Sequence, residues 1–399
     1  MLDFRNNRPI VLAAPVRTPI GKFGGGLASL SAVELGTAAA RAALERSGMA
    51  PDAIDETIIG HGRQAGCGPN PGRQISVAAG VPEEVPAYTV NQACASGLKA
   101  VLLAAQSIAL GSAEVVLAGG TESMSNTPYL LPQARWGYRM GHAEVVDGMY
   151  RDGFLCPLCG ELMGRTAETL AERYEISRDE QDAYAVQTQH RAQAAREAGR
   201  FGDEIVAVEV AQRKGPALRI DTDEHPRDDV TVEQLAKLPA VFKTGGSVHA
   251  GNSSGVTDGA AATLVLSEEA ARRHGIEPVA RIVAAAQVGV DPAVMGIGPV
   301  PATRELLERL GLALDDIDLV ELNEAFAAQV LAVDRELHFD RARLNVNGGA
   351  IAMGHPIGCT GTRILVTLLH EMRRRGVRRG LATLCVSGGM GMSLLVERV

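Results

Sequence analysis

The sequence predicts an α/β fold: two similar α/β halves of layered, mostly parallel sheet with helices, the first half carrying a long inserted loop domain. Three observations predict it. Short apolar, strand-like runs alternate with segments whose apolar residues recur at helical spacing, as when Ala87-Tyr88-Thr89-Val90 is followed by Leu98, Val101, Leu102, Ala105 and Ile108. That alternation implies a mainly parallel sheet covered by helices on both faces. The order strand, loop, apolar helix, strand, Gly-Gly over Ala87 to Gly120 returns from Leu344 to Gly389, which reads as an internal duplication. Between about Thr121 and His249 the alternation gives way to loops with scattered Pro and Gly. Residues 1–120 with 251–275 are therefore read as the N-terminal half, 121–250 as the insertion and 276–399 as the C-terminal half.

Taken in order, Pro9 to Pro15 is a short apolar run ended by Pro15, and a loop follows through Gly21. Leu35, Ala38, Ala39 and Ala42 mark a helix with Ser31 as a possible N-cap. Thr57 to Ile59 is a short strand, Gly60 to Gly72 a glycine-rich loop and Arg73 to Ala79 a helix. Glu114 to Ala118 is a strand closed by Gly119-Gly120. Within the insertion one amphipathic helix spans about Ser177 to Gly199, opened by the capping-box pattern Ser177-Arg178-Asp179-Glu180. Beyond Gly251 come strands at Ala261 to Leu266, Val279 to Gln287 and Asp318 to Leu322, with a helix at Ala302 to Leu310. Then follow a strand at Leu344 to Val346, a glycine-rich loop to Gly361, a helix marked by Ile364, Leu365, Leu368, Leu369 and Met372, and a strand at Leu381 to Val386.

Composition narrows the class. A chain of 399 residues that is 46% hydrophobic buries a large core in two or three domains. Its net charge of -8 argues against a nucleic-acid partner. No apolar run reaches membrane-spanning length, and the opening MLDFRNNRPIVLAAPVRTPIG has neither signal-peptide order nor transit-peptide character, so a cytoplasmic location is expected. Six cysteines are too few for a disulfide framework and are expected to be reduced. Cys156-Pro-Leu-Cys159 lacks a second ligand pair for zinc and follows a loop rather than a strand, so it is read as incidental, with no metal site.

Four residues carry candidate chemistry. Cys94, in NQACASGLKA, lies where a strand passes into an apolar helix. Unpaired N–H groups and the positive dipole end there can lower a thiol pKa from its usual value of about 8.5. Open α/β sheets bind ligands beyond the strand carboxyl ends, so the crevice between duplicated halves also collects Asn323 in NEAF, His355 in GHPIG and Cys385 in CVSGG. Taken singly each has a structural alternative: Cys94 as an inert core thiol, Asn323 as a turn or cap, His355 as a loop residue and Cys385 as a buried strand residue. Glu324 reads as a first-turn helix carboxylate without chemistry.

Together the motifs NQACASGLKA, GGTESMS at 119–125, MGRTAE at 163–168, SRDEQDAYA at 177–185, AGNSSGVTDGAAA at 250–262, NEAFA at 323–327, NGGAIAMGHPIGCTG at 347–361 and CVSGGMGM at 385–392 resemble the thiolase family over essentially the full length. The resemblance implies a thiolase-type fold and a reversible Claisen condensation of two acetyl-CoA to acetoacetyl-CoA, or thiolytic cleavage of short 3-ketoacyl-CoA. A longer- or branched-chain 3-ketoacyl-CoA thiolase is the alternative. It implies Cys94 as the acyl-carrying nucleophile, His355 as its base, Cys385 as second acid/base and Asn323 as holder of a water at the thioester oxygen. Coenzyme A is implied as substrate and product, with no permanently bound cofactor. The insertion would bind it, Ser254 and Gly255 lining a pantetheine tunnel walled by Met163 and Phe326, while Arg227 faces the phosphates or is a plain surface charge. A homotetramer is implied by the insertion. Two departures are visible: Ser387 stands where the family usually has glycine, raising the question of positive φ, and Leu162 replaces a common polar residue, which predicts looser acyl-length preference. A ketoacyl-carrier-protein synthase is disfavoured by the pairing of Cys385 with His355, and a catalytically silent binding protein by the presence of all four reactive residues.

Overall fold

The computed structural model describes residues 1–5 and 7–399. Nine strands of a continuous mixed sheet, β1 (Ile10–Arg17), β2 (Glu56–His61), β3 (Ala87–Val90), β4 (Val115–Ser123), β5 (Thr257–Ser267), β6 (Ala280–Gly289), β7 (Leu319–Leu322), β8 (Arg379–Val386) and β9 (Met390–Arg398), run in the order β7-β8-β9-β6-β1-β5-β4-β2-β3. Two-residue strands at Leu2–Asp3 and Gly21–Lys22 add to β6 and β5.

The α/β class expected from sequence is present, but the expectation of a mainly parallel sheet is corrected. Only β2–β3, β2–β4 and β7–β8 are parallel. The pairs β1–β5, β1–β6, β4–β5, β6–β9 and β8–β9 are antiparallel. Hydrophobic periodicity reports burial, and a strand buried on both faces reads as one apolar run in either direction. What reverses the chain is local: Gly388 and Gly389, at φ +87° and +86°, make the tight turn that sends β9 back along β8. Pro15 does not end the first strand either. It sits at a bulge where Ala14 takes φ +47° and the β5 register shifts between Ala262 and Leu264, a place where a missing N–H costs no ladder bond.

The helices used below are α1 (Ala32–Ser47), α2 (Pro71–Ala78), α3 (Ser96–Ala109), α4 (Met163–Arg173), α5 (Arg178–Glu197), α6 (Pro299–Leu310), α7 (Ala327–Leu337) and α8 (Ile357–Arg375). The expected caps Ser31 and Ser177 both form capping boxes, with Glu34 and Glu180. The stretch 121–250 holds more structure than the sequence suggested, including α4 and the two-stranded pairs Tyr129–Leu130 with Val146–Asp147 and Val208–Val210 with Leu218–Ile220. No strand forms at Leu344 to Val346; Leu344 makes a single parallel bridge to Val320 of β7.

The glycine-rich loop expected to reach Gly361 is shorter, because α8 already begins at Ile357. Gly361 is helical for a packing reason. A Cβ there would strike the backbone of Leu98, and one on Gly97 would lie 2.6 Å from Thr362 Oγ1. Glycine inside a helix costs roughly 0.5–1 kcal/mol against alanine, and here it lets the first turns of α3 and α8 meet backbone to backbone. Leu98, Leu102, Ile364, Leu365 and Leu368 then share a core with Val116, Leu384 and Leu394. The segments just ahead of these two helices are the ones that bear Cys94 and His355.

Candidate active site

Cys94 is presented by a strained turn. After β3 the chain makes a 3-10 turn at Ala93–Ala95 and enters α3, with Ala93 at φ +45°. A non-glycine residue there costs on the order of 1–3 kcal/mol and persists only where neighbours hold it. Asn91 Oδ1 accepts the Ala93 N–H at 2.9 Å, while Ser96 Oγ accepts the Gln92 N–H at 2.9 Å and donates to Ala93 O at 2.7 Å. The asparagine and serine of NQACASG thus fix the turn. Cys94 is 8% exposed. Burial pushes its thiol up, against the backbone N–H groups of Ser387 and Cys94 and the Arg63 charge, with Glu122 adding to the rise. The expectation of a lowered thiol is therefore corrected for the resting site: removal from water outweighs the N–H groups.

His355 follows Gly354 and donates its backbone N–H to Gly255 O at 3.0 Å. Its Nδ1 lies 2.6 Å from Thr360 Oγ1, and that hydroxyl donates to Pro356 O at 2.9 Å. With the hydroxyl proton so used, Nδ1 must carry the imidazole proton, which leaves Nε2 as a free acceptor. Burial, then the charges of Arg363 and Arg63, push the imidazole down to about 3, so it is neutral.

Cys385 is fully buried on β8 opposite Gly391. Burial and then the Cys94 sulfur drive its thiol far above the ordinary range. Asn323 follows β7, and its backbone N–H donates at 3.0 Å to Thr383 O, two residues before Cys385. Both polar ends of its amide are buried without a partner among the described residues. Beside it, Glu324 is not a helix-end carboxylate: α7 starts only at Ala327. It is buried and accepts from Tyr184 Oη (2.8 Å), Thr188 Oγ1 (2.9 Å), Asn345 Nδ2 (2.9 Å) and the Ile351 N–H (3.2 Å). Those bonds tie β7 to α5 and to the segment that leads to His355.

Of the residues expected at the CoA side, one bonds directly to a residue of this centre. Gly255 touches His355 as above. The Ser254 N–H donates to Ala325 O at 3.0 Å, and Phe326 meets Phe242 edge-on at 6.2 Å. Met163, at the start of α4, shares a core with Phe326 and Cys385. Arg227 is exposed and held through its backbone N–H on Gln189 Oε1 at 3.0 Å; among the described residues its guanidinium has no ion pair. Ser387 is not at positive φ, so serine is unstrained there; Gly388 and Gly389 take that conformation instead. Leu162 is the half-buried residue ahead of α4 and makes no side-chain cap. The Cys156-x-x-Cys159 loop packs at the same turn. Burial acts to raise the Cys156 thiol, but backbone N–H groups of Cys159, Leu158 and Gly388 and the Cys159 side chain hold it below its usual range.

Sequence reasoning missed Thr360, Arg63 and Glu122. Glu122 accepts the backbone N–H groups of Gly62 (3.1 Å), Arg63 (3.1 Å) and Gly358 (2.9 Å) and faces His61 Nε2 at 3.0 Å. It thereby fastens the turn after β2 to the first turn of α8, just beyond His355. The available signal was its place in the GGTESMS motif.

Comparison with known proteins agrees over both parts of the chain. Residues 10–269 match the thiolase N-terminal domain and 276–398 the thiolase C-terminal domain. An acetyl-CoA acetyltransferase of Pseudomonas aeruginosa is 54% identical over 98% of this chain and 99% of its own, and one of Syntrophomonas wolfei is 52% identical over the same shares. The crystal structure of the Bacillus anthracis acetyl-CoA acetyltransferase superposes with a TM-score of 0.96 at 47% identity, covering 98% of this chain and 99% of that one. Human mitochondrial 3-ketoacyl-CoA thiolase gives 0.95 at 43% identity over the same shares. With both domains matched across nearly its whole length, this chain belongs to the thiolase family.

Proposed function

We propose that this chain is an acetyl-CoA C-acyltransferase that condenses two acetyl-CoA to acetoacetyl-CoA and CoA, and in reverse cleaves short 3-ketoacyl-CoA with CoA. The observation that carries the mechanism is geometric: the turn that bears Cys94 packs against β8, which bears Cys385, and against α8, which begins two residues beyond His355. Two thiolates so placed repel, so the pair supports one negative charge at a time.

That constraint orders the reaction. His355 Nε2 takes the Cys94 proton, the thiolate attacks the first acyl-CoA, and the C–S bond to CoA breaks as His355 returns the proton to the leaving thiolate. Acyl-Cys94 is neutral, so Cys385 is then able to ionise, its proton passing to His355 Nε2. The Cys385 thiolate removes an α-proton from acetyl-CoA, the enolate carbon bonds to the acyl carbon, and the Cys94–acyl bond breaks as His355 returns its proton to the departing Cys94 sulfur. Thiolysis runs the same steps backwards, with Cys385 protonating the departing enolate. Support for one oxyanion position comes from the N–H groups of Cys94 and Ser387 beside the sulfur. For the other, the Asn323 amide, buried without a partner among the described residues, suits a bound water.

Ser254, Gly255, Met163 and Phe326 are proposed to line the pantetheine path, beside an insertion (121–250) that binds CoA, and Arg227 to meet the phosphates. Half-buried, apolar Leu162 supports tolerance of longer or branched acyl groups. A homotetramer belongs to the proposal, supported by exposed Tyr129, Leu131, Trp136 and Met140 in the insertion, and light scattering tests it. A cytoplasmic location also belongs to it and is tested by cell fractionation. The decisive experiment is incubation with acetyl-CoA followed by peptide mass spectrometry. Acetyl is expected on Cys94; label on Cys385 or Cys359 alone sinks the assignment. A series of 3-ketoacyl-CoAs of rising length then sets the substrate range.

A further inference from the structure

Arg63 is a buried cation without a fixed counter-ion. It lies in the turn after β2, is 5% exposed, and has its Nε and Nη2 buried with no acceptor among the described residues. The carboxylate that acts on it most, Glu122, is already engaged by three backbone N–H groups and His61. Asp147 and Asp152 act on it only through space, without an ion pair. The Phe154 ring lies 5.0 Å from its guanidinium carbon and holds it in place. Burying an uncompensated charge is costly, so its retention calls for an anion that forms nearby.

The turn that carries Arg63 is fastened to both reacting loops. Asn91 Nδ2, three residues before Cys94, donates to Gly62 O at 2.8 Å, and Glu122 joins Arg63 N to Gly358 N, three residues beyond His355. The Arg63 charge reaches both reactive groups, favouring a thiolate at Cys94 and disfavouring an imidazolium at His355.

We propose that Arg63 is the resident counter-charge of the reaction centre, a positioning residue that stabilises the Cys94 thiolate before acyl transfer and again when the acyl group leaves. The proton goes from Cys94 Sγ to His355 Nε2 and the electron pair stays on sulfur. Arg63 attracts that charge, Glu122 opposes it, and Cys385 remains a neutral thiol. The inference rests on Cys94 being the acyl carrier.

The test is the pH dependence of Cys94 alkylation by iodoacetamide in the intact protein, followed at the Cys94 peptide by mass spectrometry. Arg63→Gln is expected to raise the midpoint by about one pH unit, slowing alkylation at pH 7 about tenfold. Arg63→Lys should keep the midpoint within a few tenths of a unit, and Arg63→Met, which keeps the apolar stem, replaces the glutamine variant if that does not fold. A folded Arg63→Gln or Arg63→Met protein with an unmoved midpoint overturns the proposal. So does an equal shift in Arg63→Lys. Acetyl labelling of the wild type separates the two ideas: label away from Cys94 removes the acyl carrier, whereas label on Cys94 with an unmoved midpoint removes Arg63 alone.

Discussion

Replacing Thr360 by valine tests the reading of His355 most directly. The two residues are similar in size, but valine cannot accept the 2.6 Å bond from His355 Nδ1. Pro356 O, the other partner of the hydroxyl, keeps the backbone N–H groups of Cys359 and Thr360 at 2.9 Å, so the loss falls on the imidazole. An orphaned buried N–H costs about 1–3 kcal/mol. The ring escapes that cost by moving its proton to Nε2, and Nε2 is then a donor where a base is required. Converted at 1.36 kcal/mol per decade, the range corresponds to a fall in kcat of about 5- to 150-fold. KM for acetoacetyl-CoA should stay within about twofold, because the bond lies on the far side of the ring from Nε2. Steady-state thiolysis, followed by loss of the acetoacetyl-CoA absorbance, gives both constants, and Thr360→Ser should recover most of kcat. A folded Thr360→Val enzyme whose kcat is within twofold of wild type would refute the tautomer argument.

The remaining expectations follow from packing and burial. Gly97→Ala puts a methyl 2.6 Å from Thr362 Oγ1 and 2.9 Å from Gly358 O; urea unfolding should show a loss of about 1–3 kcal/mol, with activity falling as α3 and α8 move apart. Glu324→Ala orphans four buried donors, and a loss of at least about 3 kcal/mol is expected in the same measurement, while Glu324→Gln should lose less. His355, held down to about 3 by burial when folded, regains an ordinary pKa near 6.5 on unfolding, so between these values the unfolded chain binds more protons. Its contribution is therefore present above about pH 6.5 and lost as pH falls toward 3. Unfolding free energies from urea titrations at pH 7 and 5 should differ more in wild type than in His355→Gln, by about 2 kcal/mol.

What the sequence made legible, and what it hid, divides along one physical line. Cys94, His355, Cys385 and Asn323 each sit among small residues at a strand end or helix start, where a local pattern marks a reactive group. Ser31 and Ser177 were readable as caps for the same reason, since a capping box closes within four residues. Gly361 reads as loop because glycine disfavours a helix interior, and only the backbone of Leu98 explains why it is there. Strand direction was misjudged because burial carries no direction. Thr360, Glu122, Glu324 and Arg63 look like ordinary polar residues until the partners that meet them are known: an imidazole five residues away, the first turn of α8 236 positions distant, and Tyr184 on α5. The same line explains the acid–base behaviour of the centre. A helix start with free N–H groups suggests a lowered Cys94 thiol, and burial by the rest of the chain reverses it. A thiol protected in this way is protonated at rest and ionises when His355 takes its proton. The site therefore needs a neutral base and an unspent positive charge, and Arg63 is proposed to supply that charge from the turn after β2, which Asn91 and Glu122 fasten to the segments of Cys94 and His355.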